Sequence, residues 1–132
     1  MKPHVAMIAV LVRDYDEAIA WYRDALGFAL LEDTDRGGGK RWVRMAPAGN
    51  AAFSLLLARA ASPAQQAAVG NQHGGRVGFF LHTDDFARDH ARLSGAGAVF
   101  EETPRHEAYG TVAVFRDPHG NRWDLIQPAA SA

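Results

Sequence analysis

The chain repeats itself, and this repeat restricts its possible folds more than any other feature of the sequence. Residues 7–28 read MIAVLVRDYDEAIAWYRDALGF, and residues 78–100 read GFFLHTDDFARDHARLSGAGAVF. Each segment has an apolar run, an acidic stop and an amphipathic stretch that ends near glycine. Further along, the Pro-x-Gly-Asn segment of residues 47–50 returns at residues 118–121. The sequence therefore predicts two similar modules that arose by duplication.

Each module is predicted to fold as βαβββ. Residues 5–12 and 76–83 are the first strands, and the helices begin after Asp14 and after Asp84 or Asp85, whose carboxylates can cap them. Gly27, and Gly95 or Gly97, end the helices. The strands that follow are predicted at 28–33, 40–46 and 52–58, and at 98–103, 109–116 and 122–127. Hairpin turns are expected at 36–39 and at the Pro-x-Gly-Asn segments.

The resulting fold class is α+β, with two tandem βαβββ modules whose curved mixed sheets enclose a cavity. We expect one domain over residues 1–132, with module 1 at about 4–60 and module 2 at about 75–128. Residues 61–74 are predicted to be a linker, within which residues 64–69 can form one or two helical turns.

Composition excludes several classes of protein. The formal net charge is −1 and no basic block occurs, so a nucleic-acid partner is not expected. No apolar run approaches the roughly 20 residues that span a bilayer. The chain has no cysteine, which removes disulfides, thiolate zinc sites and cysteine nucleophiles. The first residues lack the features of a secretory signal, so a cytoplasmic location without a membrane partner is expected.

Strand alternation predicts two faces in each sheet. One face is uniformly apolar and is predicted to pack under the helices: Ile8, Val10, Val12, Val43, Phe53, Leu55, Leu57, Val77, Phe79, Leu81, Val112, Val114, Trp123 and Leu125. The other face mixes small, aromatic and polar side chains: Met7, Ala9, Leu11, Trp42, Arg44, Ser54, Leu56, Arg76, Gly78, Phe80, His82, Thr111, Phe115, Arg122, Asp124 and Ile126. An apolar surface with a few polar groups is typical of a small-ligand site, so this face is predicted to line a cavity. A dimer interface or simple exposure are the alternatives.

Two segments carry a resemblance to a known family. Residues 7–28, with Val-x-Asp and then Trp-Tyr-x-x-x-Leu-Gly-Phe, resemble the opening module of the vicinal oxygen chelate superfamily, and so do residues 115–125, FRDPHGNRWDL. This group includes glyoxalase I, fosfomycin-modifying enzymes, methylmalonyl-CoA epimerase, extradiol dioxygenases and metal-free bleomycin-binding proteins. The resemblance covers nearly the whole chain and implies a homodimer. It does not settle the activity.

The resemblance also implies where a metal would bind. Metal-dependent members hold a divalent ion with His, Gln or Glu from four strand positions. The matching positions here are Met7, Ser54 (or Leu55 or Leu56, if the slip between the repeats is placed differently), Gly78 and Asp124. Of the four, only Asp124 is a hard-metal ligand, so no metal cofactor is expected.

A displaced metal site is the alternative that the residues leave open. His82 and Asp124 share the predicted cavity face. Side chains from the preceding loop can approach them, either His106 with Glu107 or Glu101 with Glu102. Such a cluster suits zinc or iron, although its spacing matches no known motif.

Two further groups on this face suggest a ligand class. Arg44, Arg76 and Arg122 suit carboxylate or phosphate groups, or else form ion pairs such as Arg122 with Asp124. The rings of Trp42, Phe80 and Phe115 suit a planar ligand, or else pack between the modules.

Asp124 and His82 are the candidate catalytic residues. Asp124 would act as a general base if burial raised its pKa.

The sequence favours a glyoxalase/bleomycin-resistance-like protein that binds a small planar or anionic metabolite or xenobiotic between the modules, without the usual metal. The second hypothesis is a metal-dependent lyase or isomerase of the glyoxalase I type with displaced ligands, or a related dioxygenase-like enzyme. The third is a non-catalytic protein-interaction module.

Overall fold

The computed structural model describes residues 2–49 and 52–130 and confirms the α+β class. The chain divides between Val69 and Gly70 into two compact units, each with its own mixed sheet. The first unit contains β1 (Met7–Val12), α1 (Tyr15–Leu26), β2 (Phe28–Gly37), β3 (Lys40–Pro47), β4 (Ser54–Arg59) and α2 (Pro63–Ala68). The second contains β5 (Phe79–His82), α3 (Phe86–Gly95), β6 (Val99–Phe100), β7 (Arg105–Glu107), β8 (Gly110–Arg116) and β9 (Arg122–Pro128).

The first unit has the strand order β1-β4-β3-β2, in which β1 and β4 run parallel and the other pairs are antiparallel. The Asp14 carboxylate caps α1 by accepting from the Glu17 N–H at 2.8 Å. Gly27 ends this helix with φ 70°, a left-handed conformation that glycine adopts without steric cost. Tyr22 of α1 and Leu57, Val10 and Val43 of the sheet are fully buried, so the core lies between helix and sheet.

The second unit repeats this plan with the order β5-β9-β8-β6, and β7 also pairs with β8. Of the two aspartates considered for the cap of α3, Asp85 accepts the Arg88 N–H at 3.0 Å. Four stacked or tilted rings connect α3 to the sheet, from His90 through Phe100 and Phe115 to Trp123. Strand β7 was not predicted, because three residues with two charged side chains give no strand signal.

Most predicted elements are present, but several bounds were wrong: β2 continues to Gly37 beyond its predicted end at residue 33, and the strand predicted at 98–103 is reduced to β6. β1 and β5 begin later than expected, so that Arg76 and Gly78 precede β5. β4 also begins later, at Ser54, and Phe53 is 41% exposed, so its predicted core position is wrong. The first Pro-x-Gly-Asn turn includes Asn50, which lies outside the described residues. Within 2–49 and 52–130, no helix has the length and apolar character needed to cross a membrane.

Strand register confirms the predicted faces in the first unit, although Ile8, which was predicted to pack under the helix, is 51% exposed. Residues that lie opposite each other on neighbouring strands share a face, and Met7 lies opposite Ser54 while Leu56 lies opposite both Ala9 and Arg44. These residues therefore lie together on the face away from α1, which we call the opposite face.

In β8 of the second unit the predicted faces are wrong. Phe115 lies opposite Trp123, and Thr111 lies opposite Gln127, whose side chain accepts from the first N–H of α3. Thr111 and Phe115 are therefore on the helix side. Val114 lies opposite Asp124, so Val112 and Val114 are on the opposite face. The sequence GTVAVF is apolar in both alternating sets, so alternation alone could not assign them.

The turn between β8 and β9 is built around the buried carboxylate of Asp117. It accepts the backbone N–H groups of His119 at 2.9 Å and Asn121 at 3.0 Å, and the Asn121 side-chain amide at 2.8 Å. The Trp123 indole donates to it at 3.2 Å. A side chain at Gly70 would collide with the His119 carbonyl, so only glycine fits at position 70, where the chain passes close to this turn. His119 is buried in this turn, with 6% of its surface exposed.

We expect Asp117→Ala to lower the free energy of unfolding by about 3 kcal/mol, because it leaves several buried donors without their acceptor. Urea denaturation followed by circular dichroism measures this change. Asp85→Ala is the control in the same unit and should cost about 1 kcal/mol, since it removes one exposed cap. Equal losses for the two variants would contradict the structural role of Asp117.

Candidate functional site

The opposite face of the first unit has an apolar centre with one polar cluster. Arg44 Nε donates to Ser54 Oγ at 3.3 Å, and its Nη1 contacts Glu32 Oε1 at 3.3 Å. Ser54 is 1% exposed. Arg44, predicted as an anion-binding side chain, is therefore already paired with a carboxylate.

Strands β3 and β4 separate at one end of this sheet. Their pairing stops at Val43 and Leu57, although β3 stays paired with β2 as far as Lys40, and β4 with β1 as far as Arg59. We call this gap the strand fork. Tyr15 reaches into it, and its hydroxyl accepts the backbone N–H of Arg41 at 3.2 Å. The hydroxyl thus satisfies a backbone donor that β4 leaves unpaired.

A cavity of about 380 Å³ occupies the strand fork. This volume falls within the usual range for small-ligand pockets. Its apolar wall comes from the opposite face and includes Trp42, which was predicted to contact a ligand. The lining residues are Leu11, Tyr15, Gly38, Gly39, Lys40, Arg41, Trp42, Leu56, Leu57, Ala58, Arg59, Ala61 and Gln65.

Positive charge surrounds the strand fork. Lys40, Arg41 and Arg59 line it, and no carboxylate occurs among the described residues that do so. Arg36 lies over the Trp42 ring at 5.6 Å, and Arg59 lies over the Tyr15 ring at 5.8 Å. The cavity therefore combines an aromatic wall with a cationic rim.

In the second unit, Asp124 lies on the opposite face beside exposed Phe80, its cross-strand neighbour. Burial raises the pKa of the Asp124 carboxyl, and the charge of Arg105 acts in the opposite direction. Its Oδ1 is buried and makes no hydrogen bond within the part of the chain that the structure describes. This arrangement suits a carboxyl that receives a donor or releases a proton.

The remaining predicted residues do not gather around Asp124. Two of the three guanidinium nitrogens of Arg122, Nε and Nη2, donate to the Glu101 carboxylate at 2.9 Å, so Arg122 forms a bidentate pair with Glu101 and not the alternative pair with Asp124. This pairing holds the pKa of Glu101 below its usual value. Arg76 and His82 are exposed.

The family's metal positions carry few ligands here. Met7 lies level with Ser54 in the first unit, and Asp124 lies level with Phe80 in the second. By this register Leu56, and not Ser54, corresponds to Asp124. A side chain at Gly78 would collide with the His73 imidazole. Among residues 2–49 and 52–130, no three His, Asp or Glu side chains lie together as a metal site requires.

Sequence reasoning missed Lys40, Arg41 and Arg59. Arg59 belongs to the helix side of β4 by alternation, and it reaches the cavity only because the sheet splits there. The three consecutive glycines of the β2–β3 hairpin were the one available signal, because they leave space beside the cavity.

Comparison with known proteins identifies the family. The family model of the Glyoxalase/Bleomycin resistance protein/Dioxygenase superfamily matches residues 4–125. The chain belongs to this superfamily.

Individual relatives match most of this chain. An uncharacterised protein of Shewanella frigidimarina is 52% identical over 128 residues, covering 96% of this chain and 95% of that protein. The crystal structure of TnmS3, an antibiotic binding protein from Streptomyces sp. CB03234, is 34% identical with a TM-score of 0.76, covering 97% and 98% of the two chains. A glyoxalase I mutant from Zea mays is 19% identical with a TM-score of 0.73, covering 96% of this chain and 46% of its own, and shows the fold alone.

We expect Asp124→Asn to raise the free energy of unfolding at pH 7. Because the folded-state pKa of Asp124 lies above its unfolded value, its contribution to stability is full below the unfolded pKa and is lost as pH rises through the folded pKa. The gain in the variant should therefore shrink as pH falls from 7 toward 4, which urea denaturation at several pH values measures. Exposed Asp24→Asn is the control. A gain that does not depend on pH would contradict this account.

Proposed function

We propose that this protein binds a small planar molecule, a metabolite or xenobiotic, without using a divalent metal. The observation that carries the proposal is the strand-fork cavity, whose wall of Leu11, Trp42 and Leu56 offers an aromatic and aliphatic surface. Flat ring systems are held by such surfaces through stacking and loss of apolar area to water. Binding with subsequent sequestration needs no reactive group.

Membership of the superfamily and the likeness to TnmS3, named as an antibiotic binding protein, support this proposal. The donor set supports it as well, because methionine and glycine stand at two of the four family metal positions and neither suits a hard divalent ion. A homodimer in the cytoplasm remains part of the proposal.

Three tryptophans provide the test of ligand binding. Their indole N–H groups give separate signals in a nitrogen–proton correlation spectrum of ¹⁵N-labelled protein. Titration with planar compounds, including naphthalene-2-carboxamide, should shift the Trp42 signal and leave those of Trp21 and Trp123 in place. Trp42→Phe assigns the signal.

Leu56→Ala should weaken binding of the amide about fivefold, because contact between the leucine side chain and the ligand is lost. Leu30→Ala, a matched change at a leucine of β2 outside the cavity lining, should leave the affinity unchanged. A Trp42 signal that no planar compound moves would overturn the proposed function.

Removal of metal should not matter. We expect elemental analysis of protein purified without chelators to find no stoichiometric metal, and amide affinity to be the same with and without EDTA. Zinc, nickel, manganese or iron bound in a one-to-one ratio would instead favour the lyase hypothesis.

A further inference from the structure

Three cations at the strand fork lack a carboxylate partner. Within residues 2–49 and 52–130, Arg36, Lys40 and Arg59 make no ion pair, whereas other arginines of this unit do. Arg41 contacts both Asp33, at 2.6 Å, and Asp16, at 2.9 Å. The charge of Arg41 is thus compensated inside the fold, and the charges of Lys40 and Arg59 are not.

The nearby carboxylates are already engaged. Asp33 pairs with Arg41, Glu32 pairs with Arg44, and Asp35 accepts the backbone N–H of Gly37 at 2.7 Å. None of them lines the cavity. An incoming anion at the rim would therefore meet two cations without displacing an internal ion pair.

The hairpin turn leaves space for one of these cations. A Cβ atom at position 39 would come 2.9 Å from Arg59 Nη2. Because Gly39 has no side chain, the Arg59 guanidinium can lie against the turn. Gly39 also has φ +81°, which disfavours other residues. The Tyr15 ring supports the guanidinium from another side.

We propose that Arg59 and Lys40 form an anion subsite of the strand-fork cavity, which binds the carboxylate or a similar oxyanion of a planar aromatic ligand. The guanidinium presents a flat fork of donors that fits an oxyanion, and the ammonium adds a mobile point charge. Trp42 and Leu56 then contact the ring system. This inference rests on the proposed function and adds the charge of the ligand to it.

A pair of probes of the same shape tests the subsite. Naphthalene-2-carboxylate and naphthalene-2-carboxamide differ in charge at the group that Arg59 and Lys40 would contact. In titrations read from the Trp42 indole signal, the carboxylate should bind about tenfold more tightly than the amide. Salt at about 0.5 M should weaken binding of the carboxylate and leave the affinity for the amide unchanged.

Variants locate the effect. Arg59→Gln should remove most of the preference for the carboxylate while changing the amide affinity less than about twofold, since only a charge-assisted contact is lost. Lys40→Gln should reduce the preference for the carboxylate by less than Arg59→Gln does. Arg59→Lys should retain part of that preference, because the positive charge remains. Arg23→Gln, at an exposed arginine of α1 outside the cavity, is the matched control and should leave the preference intact. An unchanged unfolding midpoint shows that each variant is folded.

The outcomes separate the two proposals. If both probes move the Trp42 signal with equal affinity, or if the preference survives Arg59→Gln and Lys40→Gln together, the anion subsite is wrong and the binding function stands. If neither probe nor any other planar compound moves that signal, the binding function itself is wrong.

Discussion

Cross-strand register determines the chemistry that each unit presents. Residues opposite one another on paired strands share a face, so one register position assigns every side chain of a regular strand. The parallel pair of β1 and β4 places Met7 beside Ser54 and puts Leu56 on the face that Trp42 extends. A shift of one residue would exchange these side chains for the buried set. The candidate site therefore depends on the same hydrogen bonds that hold the sheet together.

The order of helix and strands in each unit could be predicted from the sequence, and so could the two faces of the sheet in the first unit. The repeat predicted α1 and α3, and the aspartate caps and Gly27 were recognisable because their chemistry is local. β8 was assigned to the wrong faces because both of its alternating sets are apolar and only pairing with β9 decides between them. The strand fork was not predictable, since the point where β3 and β4 separate depends on how far each strand pairs with its other neighbour.

Charge pairing was equally hidden from sequence reasoning. Arg44 and Arg122 were candidates for ligand binding because of their strand parity, yet each forms an ion pair with a carboxylate. Strand register brings Glu32 close to Arg44, and the path of the chain brings Glu101 close to Arg122. Arg59 was passed over because its parity places it on the helix side. An arginine can bind a ligand when no carboxylate of the folded chain pairs with it. The tertiary structure decides whether such a carboxylate lies nearby.

Methionine and glycine stand at two of the family metal positions, so the ligand binding that we propose does not use a metal held there. The superfamily fold brings strand side chains together, but the fold does not determine their chemistry. At Gly78 the His73 ring takes the space that a ligating side chain would need. A residue that ligates a metal at this position would therefore require the His73 side chain to move as well as a substitution. In the function that we propose, affinity in the first unit comes from the apolar wall and the cationic rim of the strand fork.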